Sequence, residues 1–152
     1  MRKIVLLTAL AVFGWTVTAC KSDDEVVTQK SEKELLEGKW NMVKEEVYFD
    51  DVLVGTEDLK TEGCDYDFYH FYANGTKEEV YFSNDCNQNE YDGIWNYNEA
   101  TKELKIVDSE DDYTMIYRVL NIDASSLEIQ MINEDGEVIQ EEVKMITHLK
   151  RQ

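Results

Sequence analysis

The sequence contains no proline and only seven glycines among its 152 residues. Collagen-like chains and linkers rich in these two residues are therefore excluded. Basic residues are also scarce, since 15 Lys and Arg stand against 33 Asp and Glu, for a net charge of −18. Because this charge repels phosphate groups, we expect no nucleic-acid partner.

Groups suited to catalysis or metal binding are few. His70 and His148 are the two histidines, and the sequence has no G-x-S-x-G, H-E-x-x-H or phosphate-loop motif. The segment from Asp85 to Asn89 begins like a calcium loop, but Glu90 stands where that loop requires glycine. We therefore expect no enzyme activity, no catalytic residue, no metal and no cofactor.

Apolar and aromatic residues are plentiful by contrast. They make up 43% and 11% of the chain, and three Trp, nine Tyr and five Phe are spread along it. Such a composition favours a folded domain over a disordered chain.

One hydrophobic run stands out, at residues 4–12 behind Arg2 and Lys3. It is too short to span a bilayer and has the layout of an export signal. The run is followed by Val17-Thr18-Ala19-Cys20, which resembles the lipobox of bacterial lipoproteins. The resemblance implies that residues 1–19 are a signal peptide and that Cys20 is lipidated. An ordinary secretory signal that ends near a cysteine is the alternative.

The segment at residues 20–30 is predicted to be a lipidated acidic tether. Its start, Lys21-Ser22-Asp23-Asp24-Glu25, resembles the export signal of surface lipoproteins in Bacteroidota. The resemblance implies an outer-membrane protein, anchored by its lipid at Cys20 and exposed at the cell surface. A solvated spacer without export information is the alternative for the acidic cluster.

Residues 31–152 are predicted to form one all-β domain. Ser31-Glu32-Lys33-Glu34 has the pattern of a helix capping box, so a short helical turn opens it. About eight strand patterns follow, at residues 40–49, 66–72, 76–82, 94–97, 104–107, 113–120, 127–132 and 138–149, with a brief additional stretch at 52–54. Because short turns join them, we expect an eight-stranded antiparallel up-and-down barrel, which leaves no open edge.

Two tryptophan motifs and a hairpin resemble a known family. Gly38-Lys39-Trp40 matches the G-x-W that opens the first strand of lipocalins, and Gly93-Ile94-Trp95 repeats it in a middle strand. Between them stands Phe71-Tyr72-Ala73-Asn74-Gly75-Thr76, with Cys64 before it and Cys86 after it. This order resembles the lipocalin-like domain of Bacteroidota lipoproteins. The Thr-Asp-Tyr motif of the classical lipocalins is missing, because Asn121-Ile122-Asp123 occupies that turn. The resemblance also implies that Lys150 or Arg151 packs over Trp40.

Cys64 and Cys86 remain once Cys20 is assigned to the lipid. In an oxidising compartment we expect a disulfide between them, which pins the ends of the aromatic hairpin. A metal-binding pair is the alternative, although no further Cys or His stands at zinc-ligand spacing.

The aromatic side chains at strand positions remain as candidates for function. Trp40, Tyr69, Phe71, Tyr81, Trp95, Tyr97, Tyr113 and Tyr117 either fill the core or line a cavity. The candidate ligand-lining residues are Trp40, Tyr69, Phe71, Trp95, Tyr97, Met131 and Met145. We expect a small hydrophobic ligand in the barrel. The alternative is a filled barrel that acts as a non-enzymatic surface module for a protein or glycan partner in the cell envelope.

Overall fold

The computed structural model describes residues 30–152. The first element is a five-residue helix, α1 (Glu32–Leu36), which begins with the predicted capping box. Ser31 accepts a hydrogen bond from the Glu34 backbone N–H, and the Ser31 backbone N–H donates to the Glu34 side chain at 2.7 Å. These two bonds satisfy amide groups that the first helical turn leaves without partners.

Ten strands follow the helix, and all belong to one antiparallel sheet. They are β1 (Gly38–Phe49), β2 (Val52–Asp58), β3 (Phe68–Phe71), β4 (Thr76–Phe82), β5 (Gln88–Asn98), β6 (Glu103–Asp108), β7 (Thr114–Ile122), β8 (Ser126–Glu134), β9 (Glu137–Val138) and β10 (Val143–Arg151).

Eight of these strands close into a barrel. Strands β1, β3, β4, β5, β6, β7, β8 and β10 pair in that order, and β10 pairs with both β8 and β1. The eight-stranded antiparallel barrel predicted from the sequence is confirmed. Because the ring is closed, the backbone groups of its strands are paired on both sides over most of their length.

The strand boundaries differ most from the sequence prediction in three places. Strand β5 begins at Gln88, well before the predicted start at residue 94. The second strand extends to Asp58 because β1 is long enough to pair with β3 at its start and with β2 at its end. The predicted final strand, residues 138–149, is two elements: β9 forms a hairpin with β8, and β10 begins at Val143. The turn between them carries Gln140, Glu141 and Glu142, polar side chains that the pattern did not mark as a break.

Three β-bulges interrupt the pairing around the ring, at Val43 in β1, Leu120 in β7 and Ile132 in β8. The bulges in β1 and β8 change which side chains point into the cavity described below. In β1 the register shifts between Met42 and Lys44, so that Val43 has no partner in β10. In β8 a similar shift leaves Ile132 without a partner in β7. Because side chains alternate along a strand, each extra residue exchanges the inward and outward positions that follow it.

Large apolar side chains fill the end of the barrel that α1 covers. The side chains that are almost fully buried there include Leu36, Trp40, Phe71, Leu104, Leu127 and Leu149. We call this the filled end. Trp40 donates from Nε1 to the Leu36 carbonyl at 2.7 Å, and the Arg151 guanidinium lies 4.2 Å from the centre of the Trp40 ring. The expectation of a basic side chain over Trp40 is confirmed, with Arg151 in that role.

Candidate functional site

The other end of the barrel, which we call the hollow end, contains a cavity of about 410 Å³. All eight strands of the closed ring contribute side chains to its wall. The lining residues are Met42, Glu45, Leu59, Tyr69, Glu79, Tyr81, Tyr91, Asp108, Tyr113, Met115, Tyr117, Met131, Glu134 and Thr147. The volume lies within the range of about 300–1,000 Å³ that is usual for small-molecule sites.

Part of the wall is apolar and adaptable. Met42 and Met115 are buried, and Met131 and Leu59 are half-buried against the core. Methionine side chains are flexible and polarisable, so they can adjust to ligands of different shapes.

A buried charged cluster forms another part of the wall. Lys77 and Glu79 are 1% and 2% exposed, on positions of β4 that face inward. The Lys77 ammonium lies 2.7 Å from Glu79 Oε2 and also forms an ion pair with Asp108 of β6. Tyr81 donates a hydrogen bond to the other oxygen of Glu79. Buried charges are tolerated when they are paired in this way.

Gly93 makes room for Lys77. A Cβ atom at this position of β5 would lie 2.7 Å from Lys77 Cε and 2.3 Å from the Val107 carbonyl oxygen. Both distances are shorter than atoms can approach without something moving. The absence of a side chain at position 93 therefore lets the lysine stem lie inside the barrel.

Five tyrosines line the cavity at different depths. Tyr69 and Tyr117 are buried, whereas Tyr81 and Tyr91 each expose 39% of their surface at the mouth. Burial raises the pKa of Tyr69, Tyr81 and Tyr117 above the usual range of tyrosine. Their hydroxyl groups therefore stay protonated and can donate hydrogen bonds at neutral pH.

Two further carboxylates reach the cavity because of the β-bulges. Glu45 follows the bulge in β1, and Glu134 follows the bulge in β8. Tyr113 donates to the Glu134 carboxylate, which raises the pKa of Tyr113 to about 12. Burial and the nearby Glu57 raise the pKa of Glu45, because both disfavour its negative charge.

The seven candidate lining residues divide between the two ends. Tyr69 and Met131 line the cavity. Trp40, Phe71, Trp95 and Tyr97 are buried in the core, and the Phe71 and Trp95 rings lie 5.3 Å apart. Met145 shares the inward register of Thr147 but is half-buried and lies outside the lining.

The charged side chains of the lining, and Lys77 behind it, were not predicted. Lys77, Glu79 and Tyr81 alternate on one face of β4, and this spacing was the available signal. Glu45 and Glu134 had no such signal, because simple alternation places Lys44 and Asn133 on the inward face.

The disulfide between Cys64 and Cys86 is present, with the two Cα atoms 5.3 Å apart. It joins the segment between β2 and β3 to the turn between β4 and β5, both at the hollow end. Because the two sulfur atoms are bonded to each other, the metal-binding alternative is excluded in this state. Within residues 30–152, no group of three His, Cys, Asp or Glu side chains is arranged to hold a metal ion.

The predicted signal peptide, Cys20 and nearly all of the tether lie outside the described residues. Over the part of the chain that is described, no helix is long and apolar enough to cross a membrane.

Comparison with known proteins identifies the fold. No family model matches the chain, and no curated protein matches it. Among solved structures, a lipocalin-like protein from Bacteroides uniformis is 16% identical, with a TM-score of 0.55 over 78% of this chain and 99% of that one. An uncharacterized protein from Bacteroides eggerthii is 11% identical, with a TM-score of 0.52 over 77% of this chain and 99% of that one. The barrel thus has a lipocalin-like fold, as the sequence motifs implied.

Proposed function

We propose that this protein is a lipid-anchored binding protein of the cell envelope that holds a small molecule inside its barrel. The observation that carries the proposal is the 410 Å³ cavity, to which every strand of the ring contributes a side chain. The lipocalin-like fold supports it, because barrels of eight strands have room for one small ligand. No catalytic arrangement is part of the proposal.

The binding function can be tested with a neutral hydrophobic fluorophore, N-phenyl-1-naphthylamine, titrated into the purified full chain. We expect saturable binding at one site. Met131→Trp places a large ring in the cavity and should weaken binding at least about tenfold, since the added volume displaces the probe.

Leu120→Trp is the control. It places the same ring at an exposed position that does not line the cavity, and binding should stay within about twofold of the unmodified protein. Failure of the probe to bind, or equal effects of the two substitutions, would contradict a ligand site in this cavity.

The envelope anchor is a separate part of the proposal. The lipobox at residues 17–20 and the acidic residues after it support it. Cys20→Ser should move the protein from the membrane to the soluble fraction of the producing cell. Protease treatment of intact cells should degrade the unmodified protein if it faces outward. Retention of the variant in the membrane fraction would refute the anchor.

A protein partner is the second candidate. The hairpin between β1 and β2 exposes four apolar side chains, with Phe49, Val52, Leu53 and Val54 each at least 49% exposed. A photocrosslinking side chain at position 53, compared with one at the exposed Lys105, tests this in cells. A crosslinked product specific to position 53 supports a partner.

A further inference from the structure

The cavity at the hollow end carries an unbalanced negative charge. Its lining includes Glu45, Glu79, Asp108 and Glu134, and no Lys, Arg or His belongs to that lining within residues 30–152. The ammonium of Lys77 pairs with Glu79 and Asp108 from within the wall and compensates one of these four charges.

The β-bulges in β1 and β8 create most of this imbalance. If Val43 paired regularly with β10, alternation from Met42 would turn Lys44 inward in place of Glu45. If Ile132 paired regularly with β7, alternation from Met131 would turn Asn133 inward in place of Glu134. The bulges therefore replace a cation and a neutral amide by two carboxylates.

Glu45 lacks a compensating group. Over the described part of the chain, no hydrogen bond or ion pair joins its carboxylate to another side chain, and Glu57 lies across from it on β2. A carboxylate that is partly removed from water and lies near another acid is stabilised when a cation binds beside it.

The tyrosine rings of the lining also favour a positively charged ligand. A cation is attracted to the face of an aromatic ring, and Tyr81, Tyr91 and Tyr113 line the same cavity as the carboxylates. The buried methionines and tyrosines deeper in the cavity suit an apolar or aromatic body.

We propose that the cavity selects small molecules that carry a protonated amine on an apolar or aromatic body, with Glu45 and Glu134 facing the amine. This inference rests on the proposed binding function and narrows the ligand class that the sequence predicted. Neutral hydrophobic molecules of the same size bind more weakly, and anionic ones are excluded by the carboxylates.

Three indole compounds with side chains of similar length test the proposal. Tryptamine carries an ammonium group, 3-propylindole is neutral, and indole-3-propionate carries a carboxylate. Isothermal titration into the purified full chain at neutral pH should show tryptamine binding at least about tenfold more tightly than 3-propylindole. Indole-3-propionate should not bind measurably.

Single variants assign the selectivity to the two carboxylates. Glu45→Gln and Glu134→Gln should each weaken tryptamine binding about fivefold or more and leave 3-propylindole within twofold. Glu46→Gln, next to Glu45 on β1, and Glu137→Gln, exposed on β9, make the same charge change outside the cavity. These two controls should bind tryptamine like the unmodified protein, and circular dichroism confirms that each variant is folded.

The outcomes separate the two proposals. If N-phenyl-1-naphthylamine binds but tryptamine shows no advantage over 3-propylindole, the charge selectivity is wrong and the binding function stands. Equal losses in the cavity variants and in their controls would also overturn it, because the effect would then come from net charge. If none of the four compounds binds, both proposals fail.

Discussion

The two ends of the barrel are built from the same strands but differ in what they enclose. At the filled end, Leu36, Trp40 and Leu104 are fully buried, and the hydrogen-bonding group of Trp40 has a partner. At the hollow end, the same ring encloses an open volume whose wall holds carboxylates and tyrosines. The difference indicates that the filled end supplies stability, which allows the hollow end to keep polar groups and space that do not favour folding.

The largest effect should come from Trp40→Ala. Removing this buried ring leaves a void at the filled end, and such changes lower the free energy of unfolding by about 3–5 kcal/mol. Urea denaturation followed by tryptophan fluorescence measures the loss. Naphthylamine binding at the hollow end should be unchanged in the protein that stays folded. A loss below about 1 kcal/mol would contradict the division between the two ends.

Lys77→Met should destabilise the hollow end by about 3 kcal/mol or more, because it leaves Glu79 buried without its cation. The double variant Lys77→Met with Glu79→Leu removes the lysine and the more deeply buried of its two carboxylate partners, and it should recover most of the loss. A double variant no more stable than Lys77→Met would show that the pair is not the source of the effect. Denaturation of the three proteins at neutral pH gives the comparison.

Replacing the disulfide with Cys64→Ala and Cys86→Ala should cost about 3 kcal/mol, since the unfolded chain regains the entropy that the crosslink removes. Hydrogen exchange should show faster opening at the hollow end, in the segments that flank the two cysteines. Protection around Trp40 should fall only by the change in global stability. An equal loss of protection at both ends would contradict a local effect of the disulfide on the hollow end.

The smallest expected effects are changes in melting temperature from substituting Glu45 and Glu46, which are adjacent on β1. The two changes should have opposite signs. Hydrogen bonds from Lys44, Tyr48 and His148 lower the pKa of Glu46 to about 2. Its contribution to stability is therefore present above its unfolded pKa of about 4.3 and is lost as the pH falls towards 2. Glu46→Gln should lower the melting temperature at pH 6, and the difference should vanish near pH 2.

The contribution of Glu45 to stability depends on pH in the opposite direction, because the pKa of Glu45 is raised in the folded protein. Glu45 favours the folded state below its unfolded pKa, and this contribution is lost as the pH rises through the folded pKa. Glu45→Gln should raise the melting temperature at pH 7 and leave it unchanged at low pH. Melting curves across this pH range check both variants, and shifts of the same sign would refute the assignment of faces.

The filled end was largely predictable from the sequence, and the hollow end was not. Alternation of Leu127 and Ile129 with polar residues identified the inward face, and Gly38-Lys39-Trp40 marked the first strand. In both cases apolar side chains face the core, which is the pattern that periodicity detects. Some aromatic side chains fill the core and others line the cavity. The sequence did not distinguish the two groups, so Trp40, Phe71, Trp95 and Tyr97 were counted as candidate lining residues although they are buried in the core.

The cavity lining depends on features that alternation does not reveal. A bulge leaves no local mark in the sequence, so the inward positions of Glu45 and Glu134 follow only from strand pairing. Lys77 and Glu79 are buried as a pair, whereas sequence rules assign charged residues to the surface. The inward-facing polar groups are therefore the part of this fold that could not be predicted from the sequence alone.

Gly93 constrains the barrel wall at a position that does not line the cavity. Any side chain there would collide with the Val107 carbonyl of β6 and would also crowd the stem of Lys77. Because the collision with the backbone does not depend on residue 77, we expect related barrels with the same strand spacing to keep glycine at position 93 even where the lysine is lost. The lysine, by contrast, requires the glycine, so the dependence between the two positions runs in one direction.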